Sequence, residues 1–347
     1  MTGRSPHPSA LTHLHRHTTI RSVAQWIDVW NSEQWRDDAA SWIDEACAAY
    51  GIERVAGPDF WPASLHQISA LVGTDAADLV FSANAPGLTA EAAITITAGE
   101  LLPDRVVMPL AIDRVAGYML APDFGHTLAD LKDSVENWQL ALASLGSFQV
   151  ALMGNEEAFF DVGMPVVDPQ FLPEQFEQAL SMHVSLDAQH PLHLDPQQAD
   201  ELHRHVSTLS DACAALHRGP VPLSLEHGAF DLAQAVVPAE QGQQARIINF
   251  AAAHWAHPFS SLAAPLAAMT QTWNCRTDDE RVMRVLGAYL AEFAVYGNAD
   301  ELYDLIAPAC LVAPLSQHET WLRLLLDASD EQLQEHAPLV LDTLSVR

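Results

Sequence analysis

Leu225-Glu226-His227-Gly228-Ala229-Phe230-Asp231-Leu232-Ala233-Gln234, followed by Arg246-Ile247-Ile248-Asn249-Phe250, is the stretch on which the fold assignment turns. Both segments fall in a strand-rich region, 223–250, that interrupts a mainly helical half of the chain. Long helices are predicted at 127–153 and 196–218, with an irregular Pro- and Phe-rich connection between them. Ahead of them, Ala121-Pro122-Asp123-Phe124-Gly125 breaks the pattern and predicts a hinge between two lobes.

On the N-terminal side, Trp35, Ala39, Trp42, Ala46 and Tyr50 recur at helical spacing behind Ser32, a residue suited to cap a helix over 32–50. Residues 63–84 read as short strands around a Gly73-Thr74-Asp75 turn, and 106–120 as strands turning near Val115-Ala116-Gly117. A helix is expected at 89–101 despite β-branched Ile94, Thr95, Ile96 and Thr97. Beyond the signature, capping-box spacing predicts helix starts at Thr277 with Glu280, Asn298 with Glu301, Ser316 with Glu319 and Ser329 with Gln332. Stripes of Val285, Leu286, Tyr289 and Phe293, and of Leu302, Leu305 and Ile306, read as core. The division expected is a flexible tail at 1–19, an N-lobe at 20–122 and a helical C-lobe at 123–347. His13, His15 and His17 alternate in the tail, but no carboxylate or fourth ligand lies beside them, so a solvated tail is expected rather than a metal site.

With 347 residues the chain is long enough for two lobes around a large core. Sixteen basic residues against 45 acidic ones leave a net charge of −29, which repels nucleic acid and anionic lipid and favours cationic ligands. Cys47, Cys213, Cys275 and Cys310 form no C-x-x-C pair and read as buried thiols. No signal-type apolar run occupies the first 19 residues, and 251–269 is broken by histidines and prolines, so a cytoplasmic protein without a membrane span is expected. The sequence contains no G-x-x-x-x-G-K-[ST] loop, G-x-S-x-G elbow or H-E-x-x-H helix. His203 with His205, and His190 with His193, are spaced poorly for a shared metal.

The 225–250 frame resembles the active site of the aminoglycoside phosphotransferase and choline-kinase-like family, where it reads His-Gly-Asp-x-x-x-x-Asn and then Ile-Asp-Phe. The resemblance extends over most of 32–313. Gly87–Ala93 is similar to the helix whose Glu, here Glu91, pairs with a strand lysine. Tyr118–Asp123 is similar to the hinge, with Pro122 and Asp123 the nucleotide-side positions, and His254–Ala263 to the segment after the metal-binding Asp. The resemblance implies an α+β, two-lobed protein-kinase-like fold, with a small strand-rich N-lobe and a larger helical C-lobe.

It also implies four duties, each with a physical reason. Ala229 stands at the base position, and a methyl group accepts no proton. Gln234 and Asn249 stand at the magnesium positions and offer no negative charge, whereas magnesium usually relies on one or two carboxylates. A unit charge pair at about 4 Å is worth roughly 4 kcal/mol at an effective dielectric near 20, so losing an Asp there matters. Ser82 stands at the lysine position, and the chain's single lysine, Lys132, follows the hinge on a predicted helix. The nearest substitutes in charge are Arg54 and Arg105. A Ser82–Glu91 hydrogen bond is the expected remnant, with an ordinary exposed Glu91 the competing expectation. His227 is read as a scaffold residue bonding backbone. Asp231 is the one carboxylate near enough to substitute, but starting the frame there puts Val236 where the Asn belongs.

Two readings follow. In the first, phosphotransfer is lost and the chain is a pseudokinase, a binding or regulatory module for a protein or a small cationic metabolite, with no cofactor. In the second, a small-molecule kinase uses ATP and magnesium with relocated carboxylates, Asp231 among them, on a hydroxyl of an aminoglycoside, sugar or amino alcohol. A third version keeps the cleft as a neutral, nucleotide-free metabolite pocket.

Overall fold

The computed structural model describes residues 26–240 and 242–345; the expected tail at 1–19, with His13, His15 and His17, lies outside them. Helices α1 (Trp26–Asn31) and α2 (Glu33–Ala49) come first. Ser32 caps α2 by accepting the Trp35 N–H. Strands β1 (Arg54–Phe60), β2 (Gln67–Thr74) and β3 (Leu79–Asn84) follow, then α3 (Glu91–Leu101), β4 (Ala111–Asp113) and β5 (Tyr118–Pro122). They form one antiparallel sheet in the order β1-β2-β3-β5-β4. Alternation along the strands gives the sheet two unlike faces. Phe81 and Tyr118, 5.2 Å apart, pack with Phe60 against Trp35 and Trp42 of α2. Ser82 and Asn84 point the other way.

The helical lobe comprises α4 (Val135–Leu152), α5 (Glu156–Phe160), β6 (Val166–Val167), α6 (Leu172–Ser185), α7 (Pro196–His203), α8 (Val206–Arg218), β7 (Ser224–Glu226), β8 (Ala235–Val236), β9 (Arg246–Ile247) and β10 (His254–Ala256). It ends with α9 (Ala263–Thr272), α10 (Glu280–Glu292), α11 (Ala299–Tyr303), α12 (Ile306–Leu324) and α13 (Asp330–Asp342). Its core gathers Phe148, Phe176, Phe250, Phe259, Tyr289 and Phe293. The architecture is the two-lobed α+β protein-kinase-like one.

Several local expectations give way to tertiary packing. After a 3-10 turn at Leu128–Asp130, the 127–153 segment is α-helical only from Val135, where Ser134 accepts the Asn137 N–H. Lys132 therefore lies in the connector before α4, its carbonyl accepting from Asn137, and not on a helix. The 196–218 segment divides at Arg204-His205 into α7 and α8. Helix α10 is capped by Asp279 rather than by Thr277. Ser316 starts nothing: it is buried inside α12, whose apolar residues carry the helix through the local signal. The expected caps at Asn298 and Ser329 form complete capping boxes.

Candidate active-site cleft

The 226–234 loop is held from behind by a buried polar lattice. Glu226 Oε1 accepts the Gly228 N–H at 2.7 Å and the Ser261 hydroxyl at 3.4 Å. Ser261 Oγ in turn accepts the His227 N–H at 3.0 Å. Gln149, on α4, donates to the Leu225 carbonyl at 2.9 Å, the Pro258 carbonyl at 3.2 Å and Ser261 Oγ at 3.0 Å. The Tyr289 hydroxyl completes it by donating to Gln149 Oε1 at 2.6 Å. Gly228 has φ +80°, and a Cβ there would lie 2.2 Å from the Ala252 carbonyl oxygen, so the loop's close approach requires glycine.

His227 is buried between Phe230 and Phe250, and its Nε2 donates to the Ile248 carbonyl at 2.9 Å. Burial lowers its pKa, which keeps the ring neutral. It links the loop to the segment after β9 that carries Asn249.

At the front, Ala229 is exposed. Asp231 Oδ1 accepts the Ala233 N–H at 2.6 Å, and Gln234 Oε1 accepts the Asp231 N–H at 2.9 Å. Together they make a reciprocal capping box on the short 3-10 turn Leu232–Gln234. Both side chains are thus tied to local backbone. Asn249 is half-buried with φ +66°, a left-handed conformation that Asn tolerates better than most residues.

On the N-lobe side, Ser82 is buried between Ser69 and Met119 in the ladder. The expected Ser82–Glu91 hydrogen bond does not form. Nor is Glu91 an exposed helix residue: it is 2% exposed, and its Oε2 lies 2.5 Å from Asn84 Nδ2. The carboxyl group also accepts the Phe250 N–H, beside Asn249. Both partners are uncharged, and burial raises the Glu91 pKa. Asn84 Nδ2 also donates to the Leu88 carbonyl at 3.4 Å, which ties the strand end to the turn before α3. Asn84, two residues beyond Ser82, is the partner that sequence reasoning missed. The available signal was the alternation of β3, which puts 82 and 84 on one face.

The two arginines nearest in sequence are committed elsewhere. Arg54 pairs with Asp44 at 2.6 Å, and Arg105 donates to Ser147 at 3.3 Å. At the hinge, Asp123 N–H donates to the Asp78 carbonyl at 2.9 Å, while Pro122 and Asp123 are exposed. Beneath them Val107, Ala121 and Val236 pack together with Phe124 and Ile248, joining strand, hinge and loop. The Ile247 N–H donates to the Arg105 carbonyl at 2.8 Å and the Val237 N–H to the His126 carbonyl at 2.9 Å, so backbone bonds cross the same gap. Among the described residues, no group of three or more His, Cys, Asp or Glu side chains is placed to hold a metal.

No family model matches the chain, and no curated protein does. Solved structures do. The chain is similar to macrolide 2'-phosphotransferase MphH from Brachybacterium faecium, with TM-score 0.56 and 16% identity over 88% of this chain and 98% of that one. It is similar to a Plasmodium vivax ethanolamine kinase, with TM-score 0.61 and 11% identity over 90% and 89%. It is also similar to choline kinase LicA from Streptococcus pneumoniae, with TM-score 0.52 and 13% identity over 89% and 100%. At such identities the likeness is one of fold, and the chain spans nearly the whole of each neighbour.

Proposed function

We propose that this chain is a phosphotransferase-fold protein that has lost phosphoryl transfer and works by binding. The carrying observation is the capping box in the 226–234 loop: Asp231 and Gln234, the polar side chains left in it, bond each other's backbone. Phosphoryl transfer is nearly all positioning and charge stabilisation, so four neutral replacements remove most of what a protein contributes. Ala229 accepts no proton, Gln234 and Asn249 offer magnesium no charge, and Glu91 is partnered by Asn84 instead of a cation.

The lobes meet at 122/123 in this reading, and the ligand is a protein or a small cationic metabolite suited to a chain of net charge −29. Nucleic acid and anionic lipid are disfavoured by that charge. No helix among the described residues is long and apolar enough to cross a membrane. The protein is assigned to the cytoplasm on its free cysteines and its composition.

Isothermal titration with ATP and magnesium, run beside a phosphotransfer assay on amino alcohols, sugars and aminoglycosides, tests the proposal. No magnesium-dependent turnover is expected. Turnover that disappears in Asp231→Asn establishes the relocated-carboxylate kinase instead.

A further inference from the structure

Helix α12 has its two ends in different cores. Ile306, Ala309 and Val312 lie in the core of the helical lobe, while Leu324, 1% exposed, lies in the N-lobe core beside Ala85 and Leu88. Nineteen residues make a rod about 28 Å long that spans both. We propose that α12 and α13 form a clasp that holds the two lobes at a fixed angle, anchored on the β1–β2 loop and on the Pro86–Leu88 turn.

The turn anchor is backbone against backbone. A Cβ on Gly87 would lie 2.1 Å from the Arg323 carbonyl oxygen and 3.1 Å from the Leu324 nitrogen, so glycine alone lets the turn seat on the helix end. The loop anchor is a stack. Trp321 lies between His66 of the loop, 5.9 Å away and edge-on, and His336 of α13, 5.6 Å away and nearly parallel. Leu65, next to His66, packs both on the N-lobe core and on the Met182, Leu322, Leu325 and Val340 cluster of the C-terminal helices. The two anchors are themselves joined, because the Ala85 N–H donates to the His66 carbonyl at 2.8 Å.

At its other end the clasp is fastened to the helical lobe. Ser260 donates to the Ala309 carbonyl at 3.2 Å, and the His183 and His318 rings meet at 3.3 Å between their Nε2 atoms. In kinase-like folds the β1–β2 loop lies over the nucleotide phosphates and is glycine-rich. Here it reads Trp61-Pro62-Ala63-Ser64-Leu65-His66, without glycine, and it is bound to α12. Lobe opening would have to draw Leu324 from the sheet core or slide the Gly87 turn off Arg323. The turn leads straight into α3, so the clasp also sets the position of Glu91 against Phe250. It does so whether or not the cleft transfers phosphate.

Hydrogen–deuterium exchange on the full chain tests the clasp. In the wild type, segments 61–67 and 85–91 should exchange as slowly as 317–324. Trp321→Ala and, separately, Gly87→Ala should each speed exchange at least tenfold in both anchor segments, with 224–236 unchanged. Wild-type anchors exchanging tenfold faster than 317–324 would overturn the proposal, and that arm needs no variant. So would Trp321→Ala loosening only 330–342 while Gly87→Ala loosens only 85–91.

Discussion

The space behind the 226–234 loop and the space in front of it are built by opposite rules. Behind, Glu226, Ser261, Gln149 and Tyr289 are all at most 3% exposed and share one hydrogen-bonded lattice, with Glu226 Oε2 facing His254 Nδ1 at 3.7 Å. In front, Ala229 and Asp231 face solvent, and the polar side chains turn back on their own backbone. The loop is thus supported by buried side chains behind, while in front its one exposed carboxylate, Asp231, is bonded to the loop's own backbone. Interior substitutions cost stability, whereas substitutions at an exposed edge leave the fold intact, so the two sides of the loop can vary independently.

Acid should strain the interior most. Burial lowers the pKa of His183 to about 4, and of His257 and His318 to about 3, from an ordinary 6.5. All three are neutral when folded, whereas the unfolded chain takes up protons near 6.5. Their contribution to stability is therefore fully present above about pH 6.5 and is lost as pH falls toward the folded values. Each costs about 1.4 kcal/mol per pH unit once the pH is well below 6.5, and buried His227 and His254, whose pKa values burial also lowers, add to the slope in the same direction. Glu91, with its raised pKa, acts in the opposite sense: its contribution is complete below 4.5 and is lost as pH rises through the folded value. Urea melts between pH 7.5 and 5.5 measure the net slope. His257→Asn, which sits behind the loop and does not titrate, should reduce it by one histidine's share.

The next largest effect should come from Gln149→Leu. It leaves the Leu225 carbonyl without its side-chain donor, and leaves the Tyr289 hydroxyl with the Pro258 carbonyl, 3.2 Å away, as its remaining acceptor. Breaking a buried network of this kind costs about 3 kcal/mol. Denaturant midpoints check it. A loss below about 1 kcal/mol would mean that the lattice behind the loop is no better held than its front.

Sequence reasoning reached the two-lobed plan because the signals that mark it are periodic or positional. The Trp35–Tyr50 stripe, the β2–β3 hairpin and the 225–250 frame all lie where the patterns put them. The polar partners were harder to see. The resemblance pairs Glu91 with Ser82, while the contact formed is with Asn84, two residues further along β3. Gln149 and Tyr289 gave no signal, since a helix-borne Gln reads as surface and a Tyr in an apolar stripe reads as core. They meet across 140 residues of chain, a separation no local pattern encodes. The Ser316 start failed for the same reason: α12 is set by the two cores it joins.

In front of the loop, effects should be small and local. Asp231→Ala removes the cap on the Leu232–Gln234 turn and should cost about 1 kcal/mol, as N-cap losses do. Exchange of the 232–237 amides should rise while the midpoint of the whole protein barely moves. A global loss of several kcal/mol would show that the loop's front is coupled to the lattice behind it.

The smallest effect, and the sharpest test of the contrast, belongs to Ala229→Asp. The position is exposed and in front of the lattice, so stability should change by no more than about 0.5 kcal/mol. On the proposed reading the substitution supplies a proton acceptor, while Gln234 and Asn249 still offer magnesium no anion and Glu91 still faces Asn84 rather than a cation. A single restored carboxylate therefore leaves phosphates ungripped, and a coupled assay with ATP and magnesium should read background. Turnover above background in Ala229→Asp would mean that the scaffold alone still binds the nucleotide in register, and that proton abstraction was the one function the front of the loop had lost.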